Sequence, residues 1–381
     1  MTMNHKAQND FSRGSQAGLT LVELMIAIAI GLLILAALLA LFINLTRSNS
    51  EMAKTNVQIE NGRAAIQLMQ KDLVHAGFWG SYVPQFDDLS STAVPTDVPN
   101  AVPDPCLPST PINWTSAYKT NLLGIPVQSY DAIPAGCTTL LTNQQANTDV
   151  LVIRHAETCV PGENNCEADT PGKLYFQSTR CSTESATPYV LGTAGFALHN
   201  RDCATVADKR KYISNIYYIR DYAVTAGDGI PTLVLSQFDL ISGTPQAGTA
   251  IPLIEGIEGF RVEFGIDSLS DSGAAANYTQ AVVWANPVNL TSPTNRGDGA
   301  PDGAFVHCST LAPCTPSQLV NVVAVKLYVI ARSRETTPGY TDGKTYTLGS
   351  TTWTPTNTSY KRHLFSTSVR LTNVSGRRET P

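Results

Sequence analysis

The chain has 381 residues, enough to bury a substantial core and to carry a further element beside one large domain. Charged residues make up 15% of it and the formal net charge is −5, with 26 Lys and Arg spread thinly. That excludes the concentrated basic face with which proteins neutralise phosphates, so nucleic-acid binding is set aside.

The first segment, Met1 to Gly18, carries Lys6 and Arg13 against a single Asp10. After it comes AGLTLVELM (Ala17 to Met25), and then an apolar run from Leu24 to Ile43 in which only Gly31 is not an ordinary apolar side chain. A helix of about 20 residues rises about 30 Å, the thickness of a bilayer hydrocarbon core, so the run is long enough to span a membrane. A secretory signal has a shorter apolar region, about 7–15 residues, ahead of a small-residue cleavage site. Ala37 to Ala40 is the stretch that would supply one. By the positive-inside rule the basic leader stays cytoplasmic and the rest is exported.

Glu23 at the mouth of this run is an acid where desolvation disfavours charge. One reading places it at the headgroup level, favoured by the positive end of a helix macrodipole. A second has the chain cut before Leu19, so that Glu23 becomes the fifth mature residue and pairs with the new amine of a neighbouring subunit.

Beyond Ile43 the chain is polar yet free of proline until Pro84. Leu45, Met52, Ile59, Ile66 and Leu73 recur at heptad spacing, with Gly62, Met69 and Ala76 offset by three, which predicts one amphipathic helix continuing the apolar run to Ala76-Gly77. A coiled coil shares the spacing, but there is no consistent second apolar column, so packing on the protein's own sheet is expected. Gly31 and Gly62 lower helix propensity and mark places for a bend or local melting.

Gly80 to Asn147, rich in Pro, Thr, Ser and Asn, reads as long loops with short elements. Strands are predicted at Asp149 to His155, Ile213 to Arg220, Thr232 to Phe238, Phe260 to Ile266, Val320 to Arg332 and Leu364 to Leu371, all rich in Val, Ile, Tyr or Phe. In the last, Phe365, Thr367, Val369 and Leu371 alternate with Ser366, Ser368 and Arg370, the period of a sheet with one solvated face able to take the helical stripe.

The 8 cysteines, Cys106, Cys137, Cys159, Cys166, Cys181, Cys203, Cys308 and Cys314, all follow the apolar run. An even number on the exported side favours disulfides. Sequence order suggests 106–137, 159–166, 181–203 and 308–314, among on the order of 100 connectivities that eight cysteines allow. Neither C-x-x-C pairs nor histidines at ligand spacing occur, so no metal and no other cofactor is expected.

The 6 histidines, His5, His75, His155, His199, His307 and His363, lie in no H-E-x-x-H, and G-x-S-x-G, P-loop and G-x-G-x-x-G patterns are missing. The chain is therefore not expected to be an enzyme; His155 after Arg154 reads as a hydrogen-bonded strand residue. The turn Asp298 to Gly303 lacks the spacing of an EF-hand and reads as a loop. Arg377-Arg378 reads as a solvated tail.

The string Gly18-Leu19-Thr20-Leu21-Val22-Glu23, between a short basic leader and an uninterrupted apolar helix, resembles the signal of type IV pilins and type II secretion pseudopilins. Leu253 to Asp267 (LIEGIEGFRVEFGID), Val322 to Ser333 (VVAVKLYVIARS), Tyr217 to Asp221, His363 to Asn373 and Arg63 to Gly80 are similar to recurring segments of PilW-like minor pilins. The resemblance implies cleavage by prepilin peptidase between Gly18 and Leu19, N-methylation of Leu19, and Glu23 as the carboxylate that neutralises a neighbour's N-terminal amine during assembly. Mature chains in that family usually begin with Phe, where Leu19 stands here. A Cys is usual soon after the exit glycine; here that place is Ser81.

The expected fold is α+β: a long N-terminal hydrophobic and amphipathic helix packed on an antiparallel sheet domain with long disulfide-closed loops. The expected divisions are a leader over 1–18, a transmembrane and assembly helix over 19–43, its amphipathic continuation over 44–77, and an extracytoplasmic β-rich domain over 78–381. The implied function is that of a minor pilin at the tip or priming complex, supporting pilus assembly, twitching and adhesion. The implied partners are major and other minor pilins, prepilin peptidase, the inner-membrane assembly platform and a tip adhesin. The implied location is the inner membrane and later the pilus. A J-type pseudopilin and a tip adhesin or DNA receptor, for which the region 81–147 would serve, are the alternatives; a membrane-anchored hydrolase is the third class.

Overall fold

A computed structural model describes residues 18–163 and 165–379. The expected leader, apart from Gly18, lies outside the described residues. The chain divides into two compact units, residues 1–53 and 54–381. The first helix, α1 (Leu21–His75), contributes to both. Within the first unit every described residue from Gly18 to Ser50 is exposed, including the whole run from Leu24 to Ile43. The most apolar window of α1 has a mean hydropathy of 3.1 with none of it buried, so the helix is long and apolar enough to cross a membrane.

In the second unit α1 turns one face inward. Gln58, Gly62, Ala65, Met69, Leu73 and Ala76 are buried, in the steps of three and four that define one side of a helix. Gly62, Met69, Leu73 and Ala76 belong to the predicted stripe; the rest of the face is displaced by one position, with Gln58 and Ala65 buried while Ile59 and Ile66 flank them half-buried, and Leu45 and Met52 are exposed. The reason is close approach. A Cβ on Gly62 would lie 2.1 Å from the Phe365 ring, so small residues, not the bulky ones, occupy the line of contact. Gly62 therefore serves packing within a continuous helix instead of marking a bend.

The strands follow as β1 (Val127–Tyr130), β2 (Val150–Ala156), β3 (Tyr175–Ser178), β4 (Tyr189–Gly192), β5 (Lys209–Arg220), β6 (Thr232–Ile241), β7 (Thr244–Ala247) and β8 (Ile251–Glu255). All eight belong to one antiparallel sheet, in which β1, at one end, pairs only with β2 and the long β5 pairs with β2, β3 and β6. Next come β9 (Ile257–Ile266), the hairpin β10 (Trp284–Asn286) and β11 (Thr291–Pro293), then β12 (Val322–Arg332), the hairpin β13 (Tyr346–Leu348) and β14 (Thr351–Trp353), and β15 (Arg362–Arg370). Strands β15, β12 and β9 form a second antiparallel sheet with β12 in the centre. All six predicted strands form.

The same strand explains both cores. In β2, Leu151 and Ile153 meet α1 residues Ala65, Met69 and Leu73 together with Phe260, Val262, Val325 and Val369 of the second sheet. Their neighbours Val150 and Val152 face the other way, into a core with Trp79, Trp114, Leu122 and Leu123. A strand buried on both faces must be apolar at successive positions, which is why DVLVIRH does not alternate. The region expected to be loops thus forms the layer that closes the large sheet's second face. It holds the helix α2 (Ser116–Gly124), capped by the Thr115 hydroxyl, and strand β1, neither legible from its Pro- and Thr-rich composition.

Candidate functional site

At the head of α1, Thr20 is the N-cap and Glu23 the third helical residue. The Glu23 carboxylate accepts hydrogen bonds from the Thr20 N–H and hydroxyl, both at 2.9 Å, and the Thr20 hydroxyl accepts from the Glu23 N–H at 3.3 Å. This reciprocal pair is a capping box, which satisfies two helix-end donors and sets a negative charge at the positive end of the macrodipole. Sequence reasoning found no basic partner for Glu23 and missed Thr20, although T-x-x-E ahead of an apolar run is the signal for it. The carboxylate remains exposed, as do Gly18 and Leu19. Among the described residues a Cβ on Gly18 would meet nothing within 4 Å.

At its other end α1 stops where Gly77 adopts φ +74°, a left-handed conformation suited to glycine. The Gly77 N–H donates to the Arg154 carbonyl at 3.0 Å, and the Gly77 carbonyl accepts from Arg377 at 2.6 Å. The ordered tail that reaches it corrects the expectation of a solvated Arg377-Arg378. Arg378 lies in the short helix α4, which follows the four-residue α3 (Pro316–Leu319) and spans Thr372–Arg378. It is 2% exposed; its Nε donates to Asp87 at 2.8 Å, and its Nη1 to Asp267 at 3.1 Å and Asn321 at 2.8 Å. Two carboxylates buried on separate segments need a cation, and that demand outweighs solvation of the terminal arginine.

The eight cysteines come together as Cys106–Cys137, Cys159–Cys166, Cys181–Cys203 and Cys308–Cys314, with Cα separations of 5.2, 5.7, 4.9 and 5.1 Å. Among the described residues one group, Asp104, Cys106 and Cys137, has ligand atoms close enough to share a metal. Its two sulfurs are bonded to each other and so are not thiolate ligands.

The described histidines have structural partners. His155 meets Asp72 of α1 at 2.9 Å, while Asn215 donates to the other oxygen of that carboxylate at 2.9 Å, pinning helix to sheet. His199 pairs with Glu184 at 2.6 Å, His307 with Asp149 at 3.2 Å, His75 with the Lys71 carbonyl at 2.8 Å, and His363 lies edge-on to Phe365. In the turn at 298–303, Asp302 accepts from the Ser268 and Leu269 N–H groups and Asp298 from Ala300, so both carboxylates serve the loop backbone. Ser81 meets the Ser178 hydroxyl at 2.8 Å.

An exposed apolar helix led by a glycine, a threonine cap and an acid, with its far half laid on an antiparallel sheet domain, defines the architecture of a pilin. Two family models match this chain. The prokaryotic N-terminal methylation motif covers residues 13–39, and the type IV pilus-assembly protein W model covers residues 216–373, from β5 to the start of α4. The two matches support a PilW-like type IV pilin. Among solved structures, a type IV-like pilin from Thermus thermophilus is similar at 15% identity and a TM-score of 0.23, covering 62% of this chain and 82% of that one. No curated protein matches the chain.

Proposed function

We propose that the chain is a minor pilin, cut by prepilin peptidase between Gly18 and Leu19, methylated on the Leu19 amine and inserted at the tip or priming complex of a type IV pilus. The observation that carries this is the exposed run Leu24 to Ile43 directly behind the Glu23 carboxylate, an apolar surface with no cover within its own unit. Before assembly, residues 19–43 cross the inner membrane with the leader cytoplasmic; the helix continues over 44–77 and the domain 78–381 is periplasmic. In the filament the apolar run is buried among the helices of major and other minor pilins, which lowers the free energy by about 25 cal/mol per Å² of apolar area. The assembly platform and a tip adhesin complete the partner set, and the functional output is pilus assembly with twitching and adhesion. The match to pilus-assembly protein W supports this reading.

Two measurements test it. Mass spectrometry of the membrane form should find a chain that starts at Leu19 and carries one methyl group; a persistent Met1 terminus at steady state sinks the processing step. The substitution Glu23→Val should leave the protein cut and membrane-bound while abolishing its incorporation into pili. Incorporation at the normal level would refute the pairing with a neighbour's amine.

A further inference from the structure

Strand β1 ends the large sheet, and a cavity of about 520 Å³ straddles its free edge. The cavity lies between the β1 segment and the loop closed by Cys308–Cys314, with Val102, Ile133, Pro134 and Leu319 as apolar walls. Three features set it apart from a packing defect. First, two polar side chains on its wall, Gln128 and Ser129, are 0% and 5% exposed, and the Gln128 Oε1 and Ser129 Oγ atoms have no hydrogen-bond partner. Buried polar atoms are almost always paired, so these two are open to polar groups brought into the cavity.

Second, the phase of the ladder leaves main-chain groups free. The Arg154 N–H donates to the Pro126 carbonyl at 2.8 Å, and antiparallel hydrogen-bonded pairs recur every second residue. Gln128 and Tyr130 therefore exchange bonds with their partners Val152 and Val150, whereas Val127 and Ser129 turn their N–H and C=O groups away from β2; of these two, Ser129 lies on the cavity wall and Val127 is fully buried. No loop backbone among the described residues pairs with them. Third, the cavity is charged on one side. Asp131 is the only carboxylate on its wall, which carries no Lys, Arg or His among the described residues. Thr310 donates to Asp131 through its N–H at 2.9 Å and its hydroxyl at 2.8 Å, which leaves acceptor capacity on the carboxylate.

We propose that this cavity is a peptide-binding site, in which an extended segment of another polypeptide, alternating apolar side chains with Lys or Arg, adds to the β1 edge. At that edge Ser129 supplies the main-chain N–H and C=O, the cavity takes one apolar side chain, and Asp131 pairs with the cation. A neutral small molecule would use the walls but neither the main-chain ladder nor the charge.

The test presents the full chain in detergent micelles to an array of random octapeptides. Bound sequences should be enriched in apolar residues alternating with Lys or Arg, and amide hydrogen exchange across 127–130 should slow when the best of them is added. N-methylation of alternate backbone nitrogens in that peptide should abolish binding. Ala135→Arg, a change on an exposed wall residue that sets like charge at the cavity mouth, should weaken it about tenfold or more, and Asp131→Asn about fivefold. No bound peptide, enrichment of acidic sequences, or binding untouched by both Ala135→Arg and N-methylation would each overturn the proposal.

Discussion

Single residues in this chain divide between those that serve the fold and those left free to meet a partner. Glu23 does both. Within the chain it closes a capping box with Thr20, whose two donors and the helix dipole offset part of the cost of desolvating the charge. Arg378 belongs wholly to the fold, and a neighbour in the same tail provides the contrast. Replacing Arg378 with Ala leaves Asp267 buried without its cation and Asp87 with Arg377 alone, at 3.4 Å, and should cost about 3–5 kcal/mol. Arg370 pairs with Glu379 where both side chains are about half exposed, so Arg370→Ala should cost under about 1 kcal/mol. Urea unfolding of the two variants measures the difference directly; equal losses would contradict the assignment of Arg378 to the core.

At the scale of elements, α1 is one helix with two kinds of surface. Its first part is apolar on every side and asks for lipid or other helices; its second part is amphipathic and is laid on β15 and β12. The line of contact is set by small residues, which makes Gly62 more critical than the larger Ile59 and Ile66 beside it. Gly62→Val should destabilise the domain by about 1–3 kcal/mol through overlap with Phe365. Adding Phe365→Ala should recover part of that loss, because the cavity made by one change receives the methyl groups of the other. A double variant less stable than the sum of the two single changes would refute the contact. Gln58 is anchored in the same face, its amide donating to the Ala331 carbonyl at 2.7 Å at the end of β12.

Over the whole molecule, the sheet domain is held by two large cores, one on each face of the large sheet, by a small cluster of Ile330, Tyr346 and Leu348, and by four disulfides that tie its loops. Thiol labelling of membrane-extracted protein without reductant should modify no cysteine, and all eight should react after reduction and denaturation. Labelling of the unreduced protein at several sites would contradict the oxidised framework.

The sequence by itself determined the long helix, the six main strands and the α+β class, because these depend on local periodicity and on runs of β-branched residues that need no knowledge of distant contacts. It also drew attention to Gly18, Leu19 and Glu23, since a carboxylate beside a membrane-length apolar run is anomalous on composition alone. What only the tertiary structure decided depends on residues far apart in the chain. Arg378 became a core residue because Asp87 and Asp267, remote in sequence, converge on it. The Pro-rich region before Asn147 became a packed layer because the second face of β2 and β5 had apolar side chains to cover. On α1, Ala65 and not Ile66 faces the core because two surfaces meet most closely where their side chains are small. The cavity at the β1 edge was illegible in sequence for the same reason: Ser129 and Leu319 become neighbours only when the sheet and the disulfide loop are folded against each other.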